Sequence, residues 1–255
     1  MKKTFGILVL GAMCFATLAP SAVAVSVDRD DAGSRATTAL VLRYTFNNDA
    51  SGVVRDASPN ALHGTLVNAD PSTAHVPSVS GQGLALSLTG AQHQFVDVPQ
   101  SSVLDVNRFT LTGLIRYTGI QNDATNGRWE ILEKAGAYWI NLRTNGRIRV
   151  GGFFGSCTSS GAWKFLDSTR TIATNTWTHV AGRYNGTTLT IWIDGTKAGS
   201  MAVSGATCSN DEPLAVGAKN APAKGLLEAF WDGQLDEVRV YSRALSATEI
   251  AALVP

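Results

Sequence analysis

The sequence predicts an all-β fold: two antiparallel sheets packed as a sandwich or jelly roll, with one short C-terminal helix. Three observations carry this. Four turn pairs, Asn126-Gly127, Asn145-Gly146, Asn185-Gly186 and Asp194-Gly195, supply the positive-φ residues that tight hairpins need. The segments between them alternate. In TTLTIWI, Leu189, Ile191 and Ile193 are interleaved with Thr188, Thr190 and Trp192, the period of a strand. Helix signals are nearly absent, and 25 glycines punctuate 255 residues. The composition, 44% apolar and 16% charged, can bury a large core and excludes a disordered chain.

Residues 1–24 read as a secretory signal peptide. Lys2 and Lys3 precede an uncharged run from Phe5 to Leu18, and Ala19 to Ala24 ends in an Ala-x-Ala site, the three-part pattern of an export leader. The run is too short to span a bilayer comfortably, and no second apolar stretch reaches about 18 residues. Cleavage after Ala24 removes two lysines, no acid and Cys14, so the formal charge moves from +1 to −1. That balance gives no basic field for nucleic acid. It also leaves one cysteine pair, Cys157 and Cys208, in a compartment that permits oxidation. A disulfide between them is expected, closing a loop of about 50 residues and stabilising by roughly 2–4 kcal/mol. Residues 25–39 are polar and aperiodic, a solvated lead-in, and the domain runs over 40–255.

From there the expected strands are 40–46, 63–67, 84–88, 94–98, 109–117 and 129–134. They continue with the hairpins YWINLR–NG–RIRVGG, TWTHVAGRY–NG–TTLTIWI and then KAGSMAV, and end with 213–217 and 234–241. Ser246-Ala-Thr-Glu249 is a capping box before Ile250, Ala251, Ala252 and Leu253, which predicts the helix.

Five segments in order resemble the laminin-G-like domain of the concanavalin A-like lectin/glucanase superfamily. They are LVLRYTFNNDASGVVRDASPNALHGTL (40–66), GQGLALSLTGAQHQFVDVP (81–99), FTLTGLIRYTG (109–119), TWTHVAGRYNGTTLTIWIDGTKAGS (176–200) and WDGQLDEVRVYSRALSATEIAAL (231–253). One departure is Leu114, where the family usually has Trp before its Ile/Val-Arg/Lys pair. The resemblance implies a concanavalin A-like jelly roll. It implies a role among sugar-binding modules, protein-binding adhesion modules or companions of catalytic domains, because a fold alone does not fix function.

The resemblance also raises one structural calcium ion, with Asn47 and Asp236 as ligands and Asp56 or carbonyls of 47–64 completing the oxygen shell. The alternative is that Asp236 caps loop amides or pairs with Arg239 or Arg243.

Catalytic signals are weak. No Glu has an Asp two residues on, Glu130 and Glu133 are expected on opposite faces of one strand, and Asp236 and Glu237 are adjacent. No Gly-x-Ser-x-Gly elbow or zinc spacing is present. His179 is expected as a hydrogen-bonded strand residue. Trp129, Trp139 and Trp177 are expected in the core, and Trp192 on the opposite side from Ile191. Trp163 and Trp231 lie in apparent loops, which carry function more often than strands. With Phe154 and Asp232 they form the expected glycan contact, stacking rings on sugar faces. The expected function is thus a secreted, non-catalytic carbohydrate-binding module, in the extracellular or periplasmic space. The alternatives are a surface module that binds a protein, and a polysaccharide-degrading enzyme with an unrecognised acid pair.

Overall fold

Tight turns and alternating strands dictate the architecture. The computed structural model describes Met1 and residues 39–79, 81–119, 127–155, 157 and 162–255. The expected signal peptide and the lead-in up to residue 38 lie outside the described residues. In chain order the strands are β1 (Leu40–Tyr44), β2 (Val53–Val54), β3 (Gly64–Val67), β4 (His75–Pro77), β5 (Leu84–Leu88), β6 (Phe95–Val98), β7 (Phe109–Tyr117), β8 (Arg128–Lys134) and β9 (Tyr138–Arg143). Then come β10 (Arg147–Phe154), β11 (Ala162–Thr171), β12 (Thr178–Tyr184), β13 (Thr188–Ile193), β14 (Thr196–Ala202), β15 (Leu214–Val216), β16 (Lys219–Ala221), β17 (Leu226–Glu228), β18 (Gly233–Tyr241) and helix α1 (Ala247–Ala251).

The first large sheet has the order β14-β13-β12-β7-β18-β5-β4, with β1 also paired to β18. The second has the order β11-β10-β9-β8-β15-β6-β3-β2. Their inner faces share one core. Leu111, Ile115, Val180, Ile191, Leu235 and Val240 come from the first sheet, and Val96, Trp129, Ile140, Leu142, Val150 and Val216 from the second. This is the expected two-sheet sandwich with an aromatic-rich apolar centre.

The hairpin chemistry follows the sequence closely. Asp194 and Gly195 have φ of 48° and 70°, the doubly positive pair of a type I′ turn, and join β13 to β14. Ser246 caps α1: its hydroxyl accepts from Glu249 N at 3.2 Å while the Glu249 carboxylate accepts from Ser246 N at 2.7 Å. Cys157 and Cys208 form a disulfide, tying the end of β10 to the segment before β15.

The clearest difference from expectation is β11. Residues 153–163 read as a loop-like insert, yet Trp163 lies on a ten-residue strand along the edge of the second sheet. Trp177, expected in the core, is half-buried just before β12.

The outer faces of the two sheets differ. On the first, Trp192, Ala181, Tyr241, Leu245 and Ile250 form a separate small core under α1. On the second, the β8–β11 portion carries polar and aromatic side chains around a pocket.

Candidate functional site: a pocket on the outer face of β8–β11

Side-chain alternation builds the site. In β9, Tyr138, Ile140 and Leu142 enter the core, so Trp139, Asn141 and Arg143 share the outer face. In β10, Ile148 and Val150 point inward and leave Arg149 and Gly151 outside. Trp163 and Phe165 complete the row from β11. With Arg128, Glu130 and Glu133 of β8 and Lys219 of β16, these residues line a pocket of about 310 Å³.

Glycine makes the floor possible. Gly151 lies opposite Trp139 in β9 and Phe165 in β11. A β-carbon at 151 would come within 2.3 Å of the Trp139 ring, so the absent side chain is the space the indole occupies. Trp163 then packs at 5.3 Å from Trp139 and edge-on at 4.9 Å from Phe153. Trp163 stays 50% exposed and Phe165 45%. Both rings present area to solvent, in a row with a nearly buried Trp139.

A β-bulge brings two carboxyl groups together. The β8–β9 register shifts between Glu130 and Leu132, so Ile131 and Leu132 both enter the core. Glu130 and Glu133 therefore lie on the same outer face. This corrects the expectation that three residues of spacing would set them on opposite faces. Glu130 Oε1 accepts from Arg128 Nε at 2.6 Å and from Asn141 Nδ2 at 3.1 Å. Burial raises both carboxyls, and the Glu130 charge raises Glu133 further, so Glu133 is the member of the pair that keeps its proton to higher pH. Glu130 Oε2 is buried with no hydrogen-bond partner among the described residues.

The cations around it are mostly paired. Arg128 Nη2 and Lys219 Nζ both reach Glu228, at 2.9 and 3.2 Å. Arg149 grips Asp167 with two bonds of 2.6 and 2.7 Å and stacks over Phe165 with Cζ 3.9 Å from the ring centre. Asn141 Oδ1 is buried with no hydrogen-bond partner among the described residues, although the Nδ2 bond to Glu130 fixes the amide orientation. The pocket thus offers aromatic area, an unsatisfied acceptor and several N–H donors, the combination that recognises a polyhydroxylated ring.

The four residues expected to contact a glycan are not brought together. Trp163 lines the pocket. Phe154 is buried in the core, 4.6 Å from Tyr184, because β10 extends through it and its side chain alternates inward. Trp231 is fully buried, 6.2 Å from Tyr117. Its neighbour Asp232 is also buried, and burial raises its carboxyl. The residues that line the pocket with Trp163 are instead Trp139, Asn141, Arg143, Arg149 and Phe165 among others, not Phe154, Trp231 or Asp232. The alternation Trp139-x-Asn141-x-Arg143 was the available signal, since the two polar residues mark the face as outward.

The residues expected at a calcium ion serve the protein instead. Asp236 Oδ2 accepts from Ser78 Oγ at 2.5 Å, and Oδ1 accepts from Glu237 N at 2.6 Å. Burial lifts this carboxyl to about 6. Asn47 Oδ1 accepts from Leu84 N at 2.6 Å, and its Nδ2 donates to Gln82 O at 3.2 Å. The Asp56 oxygens accept from Arg43 N, Leu62 N and the Ser58 N and Oγ. Protein donors face each of these oxygens, and among the described residues no group of three or more metal-type side chains gathers. The set does not fit a calcium ion as it is placed. Arg239 pairs with Glu237, and Arg243 with Glu249. Asp236 is thus a loop-holding carboxylate.

His179 is buried, with neither ring nitrogen hydrogen-bonded among the described residues. This departs from the expected hydrogen-bonded histidine. Burial, then the nearby Arg239, pushes it down to about 4, so the ring is neutral.

Comparison with known proteins agrees with the architecture. Residues 89–251 match a family model of the concanavalin A-like lectin/glucanases superfamily. The chain belongs to this laminin-G-like family. No curated protein matches it. Among solved structures it is similar to the binding domain of Paraclostridial Mosquitocidal Protein 1, at 17% identity and TM-score 0.63, over 86% of this chain and 52% of that one. It is similar to domain 4 of AbnA, an extracellular arabinanase from Geobacillus stearothermophilus, in complex with arabinotriose, at 19% identity and TM-score 0.61. That match covers 85% of this chain and 98% of the domain. The botulinum neurotoxin serotype D binding domain is similar at 14% identity and TM-score 0.57, over 88% of this chain and 52% of that one. The chain therefore spans about half the length of the toxin domains. At these identities the likeness is one of fold, shared with binding modules. Among the described residues no helix is long and apolar enough to cross a membrane.

Proposed function

We propose that the chain is a secreted, non-catalytic glycan-binding module and that the β8–β11 pocket is its site. The observation that carries this is the aromatic row. Trp163 and Phe165 are half exposed beside Trp139, on a rigid sheet face with a buried, unpartnered Asn141 acceptor. Indole and phenyl faces left open cost solvation unless a flat apolar surface covers them, and a pyranose face is such a surface. The sugar complex of the arabinanase domain supports the reading by analogy of fold. The leader-like residues 1–24 and the disulfide support export.

A glycan array with the purified chain, followed by calorimetry on the hits, tests this. Trp163→Ala is expected to weaken binding by about tenfold, the loss of one stacking contact. A folded wild-type chain that binds no glycan would overturn the reading, as would a Trp163→Ala variant that binds as well as wild type. For calcium, the hydrogen-bonded state of Asn47, Asp56 and Asp236 predicts the same melting midpoint with and without EGTA. A lower midpoint in EGTA would show that these side chains release Ser78 and Leu84 to an ion.

A further inference from the structure

Net charge near zero argues against electrostatic recognition, but charge on this face is not evenly spread. Four cations line the pocket: Arg128, Arg143, Arg149 and Lys219. Three have their own carboxylates, Glu130 and Glu228 for Arg128, Asp167 for Arg149, and Glu228 for Lys219. Burial and the Glu130 charge raise the Glu133 carboxyl. The Arg143 guanidinium has no ion-pair or hydrogen-bond partner among the described residues. It lies directly opposite Arg128 across the β8–β9 ladder, and like charges in that position repel. Burial, then Arg149, depresses its guanidinium below the usual value, with Arg128 adding to the effect, while Asp167 and Glu130 counter it only in part. Among the described residues, then, Arg143 is a cation beside other cations with only distant, partial compensation, a position that an anionic group would stabilise.

We propose that the pocket is specific for an acidic saccharide, and that Arg143 receives the carboxylate of a uronic acid residue stacked on Trp163. This rests on the glycan-binding reading and names its ligand class. The planar guanidinium suits a carboxylate held by two parallel bonds. Asn141, two residues before Arg143 on the same face, has its buried Oδ1 free to accept from a ring hydroxyl of the same sugar. The aromatic row then takes the apolar face of the ring, and the Arg–carboxylate pair sets its direction along the sheet. Partial shelter by the rings keeps that pair from being fully screened by salt.

The test titrates the purified chain with a panel of oligouronates containing galacturonate, glucuronate, mannuronate or guluronate. Each is paired with its carboxyl-reduced counterpart, which keeps the linkage and replaces the carboxylate by a hydroxymethyl group. At least one oligouronate is expected to bind about tenfold tighter than its reduced form at low salt, with the gap narrowing as salt rises. Arg143→Gln is expected to close the gap, weakening the oligouronate about tenfold more than its reduced form. The variant should melt at or above the wild-type midpoint, because the repulsion from Arg128 is gone. Equal binding of native and reduced sugars, or preference for neutral or only sulfated glycans, overturns the acidic-sugar assignment and leaves the glycan-binding reading in place. Failure to bind any member of either series, or any neutral glycan, overturns both. An Arg143→Gln variant that keeps the wild-type gap overturns the role of Arg143.

Discussion

On the outer face of the first sheet Trp192 is shut in by Tyr241, Leu245 and Ile250, with Arg183 stacked on it at 4.6 Å. On the outer face of the second, Trp163 stands half exposed beside Trp139 and Phe165. Both indoles arise from the same rule, an aromatic residue out of phase with its core-facing neighbours. The difference lies in what the chain does next. After β18 the chain turns back over the first sheet, and the box-capped α1 brings Ile250 down onto it. Over β9–β11 the later segments reach only as far as the pocket edges, with Lys219 on one side and Cys208, Asn210 and Lys224 near Trp163, and leave Trp163 and Phe165 half exposed. An outward aromatic is thus a second core where a later segment covers it, and an exposed surface where none does.

The comparison breaks most sharply at the tryptophans. Trp231 is fully buried in the sandwich and Trp163 is not. Trp231→Ala should cost about 3–5 kcal/mol of stability, the range for deleting a large buried ring, and the molecules that remain folded should bind glycan as wild type does. Trp163→Ala should cost under about 1 kcal/mol while binding falls. Denaturant melts and calorimetry on both variants check this. If Trp163→Ala were the more destabilised of the two, the row on β9–β11 would be packing rather than a site.

The next effect is a pH dependence set on the closed face. His179 is neutral when folded, with its pKa down at about 4 against the ordinary 6.5. Between these values the unfolded chain binds a proton that the folded chain refuses. The contribution is therefore complete above pH 6.5 and is lost as pH falls toward 4, by roughly 3 kcal/mol at most. His179→Leu keeps the volume and removes the proton. Stability measured from pH 4 to 7 should fall less steeply on the acid side for the variant than for wild type. Parallel curves would show that the imidazole does not carry the acid sensitivity.

Much of the fold was legible because turn chemistry and alternation are local. Strands 84–88 and 109–117, the Asp194-Gly195 turn and the Ser246–Glu249 capping box appear as the sequence implies. The site was less legible for two physical reasons. A bulge cannot be read from period-two alternation, so Glu130 and Glu133 seemed to diverge when Ile131 and Leu132 in fact share the core. Burial of an aromatic depends on distant segments, so Trp231 and Phe154 looked like loop aromatics although partners far along the chain, Tyr117 and Tyr184, cover them. Trp163 was singled out correctly as a surface aromatic but for the wrong element, since β11 lacks clean alternation at Trp163-Lys164-Phe165-Leu166. The disulfide followed from setting Cys14 aside with the expected leader, which leaves Cys157 and Cys208 as one pair.

The smallest effect sharpens the contrast by running in the opposite sense on the open face. Glu133 is raised by burial and by the Glu130 charge, so the folded chain holds a proton that the unfolded chain would release. Its contribution is complete below the ordinary carboxylate range and is lost as pH rises through the raised value, the reverse of His179. Glu133→Gln keeps the shape of the side chain and removes the titrating group. The variant should match wild type near pH 4 and exceed it by a margin that grows as pH rises toward 8. Because Asp236 also titrates near pH 6, the quantity to compare is the difference between variant and wild type at each pH, which cancels its contribution. A difference that stayed flat from pH 4 to 8 would mean that Glu133 is ionised in the folded chain, and the β8 bulge would then hold two charges rather than one.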